Sequence, residues 1–454
     1  MTTRLGWQSR FVLTCLAVLP LLGRATAADA PSLRVGAAAV NLRADDSFVI
    51  SGGIGPAYAK GQEGQLRVVA VVVEHPTDGK LAIAACDVLF APRDIVDPAL
   101  VEAARRTGIP VERMLVNATH THHAPSTTEV HGYGRQPEFC RHLEQSIVEA
   151  IVAANDRLAG PVDCVFRLGE EKTFGANSRL LLSDNTIFWV GSRDDAVRPT
   201  GPFDPELPVL AFRTADGKYP AVIYNHSTHT IGTRIPGVRS PSFYGLAAQD
   251  LEAELGGTVA FLEGASGSTH NLGGITADEA IEHLKTAVRS ALAQATPVEA
   301  TRLAASKRPF EFRVRTFDEA VEDEKVASYC RKRIPQGADT VIDVFRKMRA
   351  KLGPQQNQPR TTWLQAMAIG DVAIVGVPAE YFTSLGVDIK RRSPFAHTVV
   401  AELANDWIGY LPDREGHKLG GYQTWMGLHS YAEEGTGERI ADEVVAMLRE
   451  LAGR

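Results

Sequence analysis

The run Asn117-Ala118-Thr119-His120-Thr121-His122-His123-Ala124-Pro125 constrains this chain more than any other segment, because it places imidazoles two residues apart where the apolar stretch Met114-Leu115-Val116 stops. Taken as the end of a β-strand, the spacing sends His120 and His122 to one face. Two neutral imidazoles on one face supply adjacent metal-ligand positions, or one ligand and one general base, as a metal-dependent hydrolase requires. The same spacing also fits a surface cluster or a pair of core histidines bonded to backbone, so the choice falls to the rest of the chain.

Apolar strand candidates run from Leu66 to Val73, Leu81 to Cys86, Met114 to Asn117, Ala221 to Asn225, Thr258 to Leu262, Val372 to Val377 and Thr398 to Leu403. Helix candidates lie between them. Asp97 caps a segment with Pro98 at its first position, Pro137 to Leu158 is amphipathic, a Thr276/Glu279 capping box precedes Ala280 to Ala293, and Glu438 to Leu451 closes the chain. The charged stretch 318–358 reads as a helical insertion whose charges form a solvated face. No linker or repeat divides residues 31–454. The expected fold is therefore a single large α/β catalytic domain, with mixed β-sheets flanked by helices and a metal site at the strand ends.

Five of the strand candidates end in small polar clusters, and ligands in α/β folds gather beyond the carboxyl ends of strands. The clusters are the His120/His122 segment, Asn225-His226-Ser227-Thr228-His229-Thr230, the flexible loop Glu263-Gly264-Ala265-Ser266-Gly267-Ser268-Thr269-His270-Asn271, Pro378-Ala379-Glu380-Tyr381, and Asn405-Asp406-Trp407-Ile408-Gly409-Tyr410. Asp87, after Cys86 at another strand end, is placed to orient a ligand histidine from behind. His417 and His429, close to glycines, read as ordinary exposed residues.

The amino terminus reads as an export leader: Arg4 and Arg10 precede an apolar run from Phe11 to Leu22 and the small-residue site Ala25-Thr26-Ala27. Residues 1–27 are the expected signal peptide, and the mature protein is expected to be secreted or periplasmic. Losing Arg4, Arg10 and Arg24 makes the mature chain more acidic than the full sequence, whose net charge is −6. Nucleic acid is not an expected partner for such a chain. No later apolar stretch is long enough for a transmembrane span, so contact with a membrane is expected only at its periphery. Cys86, Cys140, Cys164 and Cys330 are too scattered to suggest a cysteine zinc site, and the sequence does not pair them.

Four of these motifs, in order, resemble those of the neutral/alkaline (non-lysosomal) ceramidase family. Thr119-His120-Thr121-His122, followed by Pro125, is similar to the family's Thr-His-Thr-His-Ser-Gly-Pro; Asn225-x-x-x-His229 to its second histidine motif; Pro378-Ala379-Glu380 to its Pro-Gly-Glu; and Asn405 to Leu411 to the segment ending in its metal-binding tyrosine. The resemblance implies a zinc-dependent amidohydrolase that cleaves N-acylsphingosine or a related N-acyl lipid, a small lipid-like amide, with one Zn2+ per chain. It implies His120, His229, Glu380 and Tyr410 as ligands, with His229 preferred over His226, and His122 beside the metal as the proton-handling residue. Asn177-Ser178-Arg179 is a looser match to a family segment whose arginine faces the reacting group, making Arg179 a further catalytic candidate.

The chemistry suits these residue types. Zinc polarises a carbonyl oxygen and acidifies water, a neutral imidazole moves protons near neutral pH, and Arg179 or Tyr410 could stabilise a tetrahedral oxyanion. Tyrosine is a less usual zinc ligand, so an outer position for Tyr410 stays open. The third loop departs from the family's Gly-Asp-Val-Ser-Pro-Asn: it is one residue shorter, and Thr269 or His270 stands where the family has serine. A water-based mechanism survives that change, whereas a serine-based one would need Thr269. No C-terminal immunoglobulin-like domain is expected after the last helix. The alternative function is an exported, non-catalytic ceramidase-like protein that binds metal or lipid.

Overall fold

Strands form where the apolar runs lie, and they are apolar on both faces because both faces are covered. The computed structural model describes residues 1–3, 6, 32–272, 274–300 and 302–453. The apolar run and the Ala25-Thr26-Ala27 site of the expected leader lie outside them. In chain order the elements used below are β1 (Leu33–Asn41), β2 (Arg67–His75), β3 (Gly79–Cys86), α1 (Arg93–Thr107), β4 (Met114–Ala118), α2 (Pro137–Asp156), β5 (Ala159–Glu170), β6 (Glu206–Arg213) and β7 (Ala221–His226). They continue as α3 (Ser242–Leu255), β8 (Thr258–Glu263), α4 (Ala277–Ala293), β9 (Leu303–Arg313), α5 (Glu319–Arg333), α6 (Ala338–Leu352), β10 (Pro359–Ile369), β11 (Val372–Gly376) and β12 (Glu380–Tyr381). The last are α7 (Thr383–Arg392), β13 (His397–Ala401), β14 (Tyr410–Leu411), α8 (Arg414–Leu419) and α9 (Thr436–Leu451).

One long sheet has the order β8-β7-β6-β5-β1-β2-β3-β4, and a second has the order β9-β10-β11-β13. Most neighbours are antiparallel, but β3/β4, β7/β8 and β11/β13 are parallel, so this is the mixed α/β architecture expected. The alternation along β2 shows how the layers stack. Val69, Val71 and Val73 share a buried cluster with Ile223, Leu262, Met367, Ile369 and Ile374, which joins both halves of the long sheet to the second sheet. Val68, Ala70 and Val72 point the other way, into a cluster with Ile95, Leu100, Leu143 and Ile147 of α1 and α2. Helices α3 and α4 cover the outer side of β6, β7 and β8.

Two local expectations change. Pro98 lies inside α1, which starts at Arg93 behind Pro92; Asp97 pairs with Arg93 one turn back (3.1 Å) instead of capping. The charged stretch 318–358 is a helical pair, α5 and α6, but its charges are not all solvated. Arg349 is fully buried, with its guanidinium on Glu319 (2.8 Å) and Asp323 (2.7 Å). The capping box at Thr276/Glu279 forms as expected. All four cysteines of the described body are buried and free. Among the described residues no helix is long and apolar enough to cross a membrane.

The carboxyl ends of β4, β7, β8 and β13 are tied together, and to β10, by buried side-chain amides. Asn117, at the end of β4, accepts from Glu263 N (3.0 Å) and donates to Glu402 O. Asn225 donates to Leu262 O (2.8 Å) and Val400 O (3.0 Å), and Asn405 accepts from Val116 N (3.1 Å) while donating to Gln365 (2.7 Å). Each amide satisfies backbone groups that the ladders leave open where strands stop. Asn117→Ala orphans two buried backbone groups and is expected to lower the unfolding free energy by roughly 3 kcal/mol. Exposed Asn41→Ala is expected to stay within about 0.5 kcal/mol of wild type in the same urea titration; equal effects would contradict this role for Asn117.

Candidate metal centre

The three histidines His120, His122 and His229 offer ligand atoms that all lie within 4.8 Å of one another. His120 Nε2 and His122 Nε2 are 3.3 Å apart, and Glu380 Oε2 stands 3.6 Å from His120 Nε2 and 3.5 Å from His229 Nε2. The Tyr410 hydroxyl is 3.0 Å from His229 Nε2. The structure thus brings together His120, His122, His229, Glu380 and Tyr410, from segments that are far apart in sequence.

Local structure explains each placement. Strand β4 ends at Ala118, and His120 adopts a left-handed backbone (φ 62°), so its ring reaches His122 by a sharp turn and not by the alternation of a strand. A left-handed non-glycine residue costs of order 1–3 kcal/mol and is held by its surroundings: Thr119 N donates to Cys86 O (2.9 Å), and Thr119 Oγ1 to Asp87 (3.1 Å). Glu380 and Tyr410 are direct partners in the short parallel pair β12/β14, and their side chains meet at the same centre. The Trp407 indole, stacked on Phe90, donates to Glu380 Oε1 (3.1 Å) and leaves Oε2 toward the histidines. Gly267 lies so close to Glu380 that a Cβ there would stand 2.5 Å from its carbonyl oxygen.

Each histidine is held by a backbone carbonyl at Nδ1: His120 by Leu89 O (3.1 Å), His122 by Gly52 O (3.2 Å) and His229 by Ser266 O (2.9 Å). This arrangement fixes the proton on Nδ1 and leaves three Nε2 lone pairs converging, as in histidine metal sites. Burial, reinforced by the neighbouring imidazoles, holds His120 and His122 well below the usual histidine range, so both are neutral at pH 7. Burial, followed by the Glu380 carboxylate, pushes the Tyr410 phenol well up. Three imidazoles, a carboxylate and a phenol are a donor set that suits zinc.

Other sequence candidates fall elsewhere. His226 is spent on Tyr244 (2.5 Å) and Glu171 O (2.9 Å), away from the cluster. Asp87 touches no ligand histidine; it holds Thr119 and Arg67 N (2.9 Å), and burial raises its pKa to about 6. Arg179 is buried, with its donors on Gln423 (2.7 Å), Gly416 O (3.1 Å) and Gly420 O (2.6 Å). None of these hydrogen bonds goes to the histidine cluster; the guanidinium holds the loop from Gly416 to Gln423. The Thr269 hydroxyl donates to Ser227 O (2.8 Å), while His270 stacks on His229 with ring centroids 4.2 Å apart. The short third loop therefore places an imidazole, not a free hydroxyl, beside the cluster.

His429 is fully buried, not exposed, and His417 is half-buried against Arg315. Close to glycines, His429 reads as a loop residue in sequence, but its carbonyl pairs with Tyr410 N (2.7 Å) and its Nε2 with Tyr422 O (3.1 Å). The Tyr422 hydroxyl meets His131 Nε2 (3.0 Å), and the Tyr133 hydroxyl accepts from Gly52 N (2.9 Å). Gly52 had one legible signal, a glycine-rich loop: at φ 112° its backbone comes so close that a Cβ would sit 2.5 Å from His122 Nδ1.

Burial drives the His429 pKa down to about 3. The folded chain therefore keeps this ring neutral while the unfolded chain protonates it below about 6.5; the unfolded state binds the extra proton, and stability falls as pH drops. Relative to His429→Gln, wild type is expected to lose up to about 1.4 kcal/mol of unfolding free energy per pH unit between pH 6.5 and 5. Urea titrations at each pH measure this, and a difference that does not change with pH would contradict it.

No family model matches the chain, and no curated protein matches it in sequence. Its structure, however, matches that of neutral ceramidase from Pseudomonas aeruginosa with a TM-score of 0.71 at 18% identity, over 93% of this chain and 75% of that one. It also matches a ceramidase structure described as complexed with C2, with a TM-score of 0.74 at 18% identity, over 93% of this chain and 76% of the other. The fold of this chain is that of the neutral ceramidases.

Proposed function

We propose that this chain is a zinc-dependent hydrolase that cleaves the amide bond of an N-acyl lipid, ceramide or a related compound. The observation that carries the reading is the convergence of three imidazoles, each fixed at Nδ1 by a backbone carbonyl, with Glu380 Oε2 beside two of them, His120 and His229. The neutral-ceramidase fold supports the choice of bond. Export by an N-terminal leader, to periplasm or medium, and peripheral contact with the lipid surface that presents the substrate belong to the same proposal.

In this reading His120, His229, Glu380 and Tyr410 hold one zinc ion. When bound, zinc supplies Lewis acidity toward a carbonyl oxygen and toward water. The chain's own residues perform the proton work. His122 is neutral, with Nδ1–H on Gly52 O, so its Nε2 accepts the proton of the attacking water and then returns it to the departing amine. In the alternative, outer position Tyr410 would keep its phenol proton and donate to oxyanion charge. Arg179 is a positioning residue that holds the segment from Gly416 to Gln423, which carries Tyr422. The tethered Thr269 hydroxyl favours water over a side-chain nucleophile. It is also the one observation that favours the second reading, a non-catalytic protein of this fold.

A panel of N-acyl amides of differing chain length, assayed with zinc-loaded protein, tests the proposal. Hydrolysis is expected, with His122→Ala lowering kcat by about 100-fold or more while metal content is kept. No turnover of any amide would leave the binding-protein reading, and an unchanged rate in His122→Ala would remove the proton-transfer role.

A further inference from the structure

A buried carboxyl group lies beneath the histidine cluster. Glu402 follows β13 and is fully buried. It accepts hydrogen bonds from Ser266 N (3.0 Å) and Tyr381 N (2.7 Å) at Oε2, and from Ser266 Oγ (2.7 Å) at Oε1. Both polar donors of Ser266 thus end on Glu402, while the remaining group of that residue, its carbonyl, accepts from His229 Nδ1 (2.9 Å). Tyr381 N belongs to the peptide whose carbonyl is that of Glu380, so the same carboxylate orients the backbone of a second ligand candidate. Its own main chain is fixed in turn: Glu402 N donates to Glu263 O (3.0 Å), and Glu402 O accepts from Asn117. Glu263, also buried, makes a lesser connection; its side chain takes one hydrogen bond, from Thr230 Oγ1 (2.7 Å), and its other oxygen has no partner.

We propose that Glu402 is the positioning residue of the centre: through Ser266 and the Tyr381 amide it presets His229 and Glu380, and so sets how tightly the site holds its metal. The inference rests on the metal-hydrolase reading of the same site. Its physical basis is that a ligand bonded to a fixed acceptor spends no binding energy on being oriented, and a buried side chain that takes both donors of Ser266 fixes where the carbonyl holding His229 points. Glutamine is nearly isosteric and its oxygen can keep the two backbone N–H groups, but its NH2 then reverses the bond to Ser266 Oγ, turning that hydroxyl from donor into acceptor and altering how Ser266 is held.

Apo protein titrated with Zn2+ against a chromophoric chelator, and separately with Co2+ followed by its visible absorption, tests the proposal on wild type, Glu402→Gln, Ser266→Ala and the exposed control Glu311→Gln. Glu402→Gln is expected to weaken zinc binding 10- to 100-fold and to shift the Co2+ band, with Ser266→Ala changing both in the same direction by less and the control changing neither. A merely structural role would lower melting temperature without moving the Co2+ spectrum of the folded fraction. If Glu402→Gln does not fold, Ser266→Ala decides. Wild-type affinity and spectrum in the folded variants would overturn the role of Glu402 alone; a wild-type protein that binds neither ion would overturn the metal reading beneath it.

Discussion

Buried side-chain amides at the carboxyl ends of the strands are the interaction on which the rest of this structure depends. Asn117 and Asn225 each join two strand ends, and Asn405 binds a third to the second sheet, so segments far apart in sequence converge at one point. Apolar packing alone would bring the sheets together without fixing their ends, because dispersion and burial are not directional. A buried amide with two partners is directional and costly to leave unsatisfied, which makes the strand ends a rigid frame.

The frame lets the chain hold conformations that free peptide would avoid. His120 keeps a left-handed backbone, Gly52 comes within contact of the His122 ring, and Gly267 lies against the backbone of Glu380. Each brings a polar group toward one centre that burial keeps neutral. The same burial holds His120 and His122 in the state that has a lone pair to give, so electrostatics and geometry agree. Beneath them Glu402, Ser266, Trp407 and the carbonyls of Leu89 and Gly52 orient the rings and the carboxylate without entering the centre.

Much of the fold was legible because its strands are covered on both faces and so read as unbroken apolar runs: the candidates at Leu81 to Cys86 and Met114 to Asn117 match β3 and β4 to within two residues. The ends were legible as polar clusters, and within them it was the resemblance to the ceramidase motifs that singled out His120, His229, Glu380 and Tyr410. What the residues alone did not reveal depends on tertiary contacts. His120 meets His122 through a left-handed turn and not through strand alternation. His429 sits in glycine-flanked loop sequence yet is sealed by Tyr410 and Tyr422, and Arg179 spends its guanidinium on carbonyls of α8 and the loop after it. Glu402, inside the strand candidate Thr398 to Leu403, gave no signal, since a lone acid in an apolar strand ordinarily reads as a solvent-facing position.

The proposed function stands on one metal ion held among His120, His229, Glu380 and Tyr410. The most direct test is anomalous diffraction at the zinc edge from crystals of protein purified without chelator or added metal. The account predicts one strong peak per chain at about 2.0–2.2 Å from His120 Nε2, His229 Nε2 and a Glu380 oxygen. No peak there, even after soaking in zinc, or a peak held by other side chains, would contradict it.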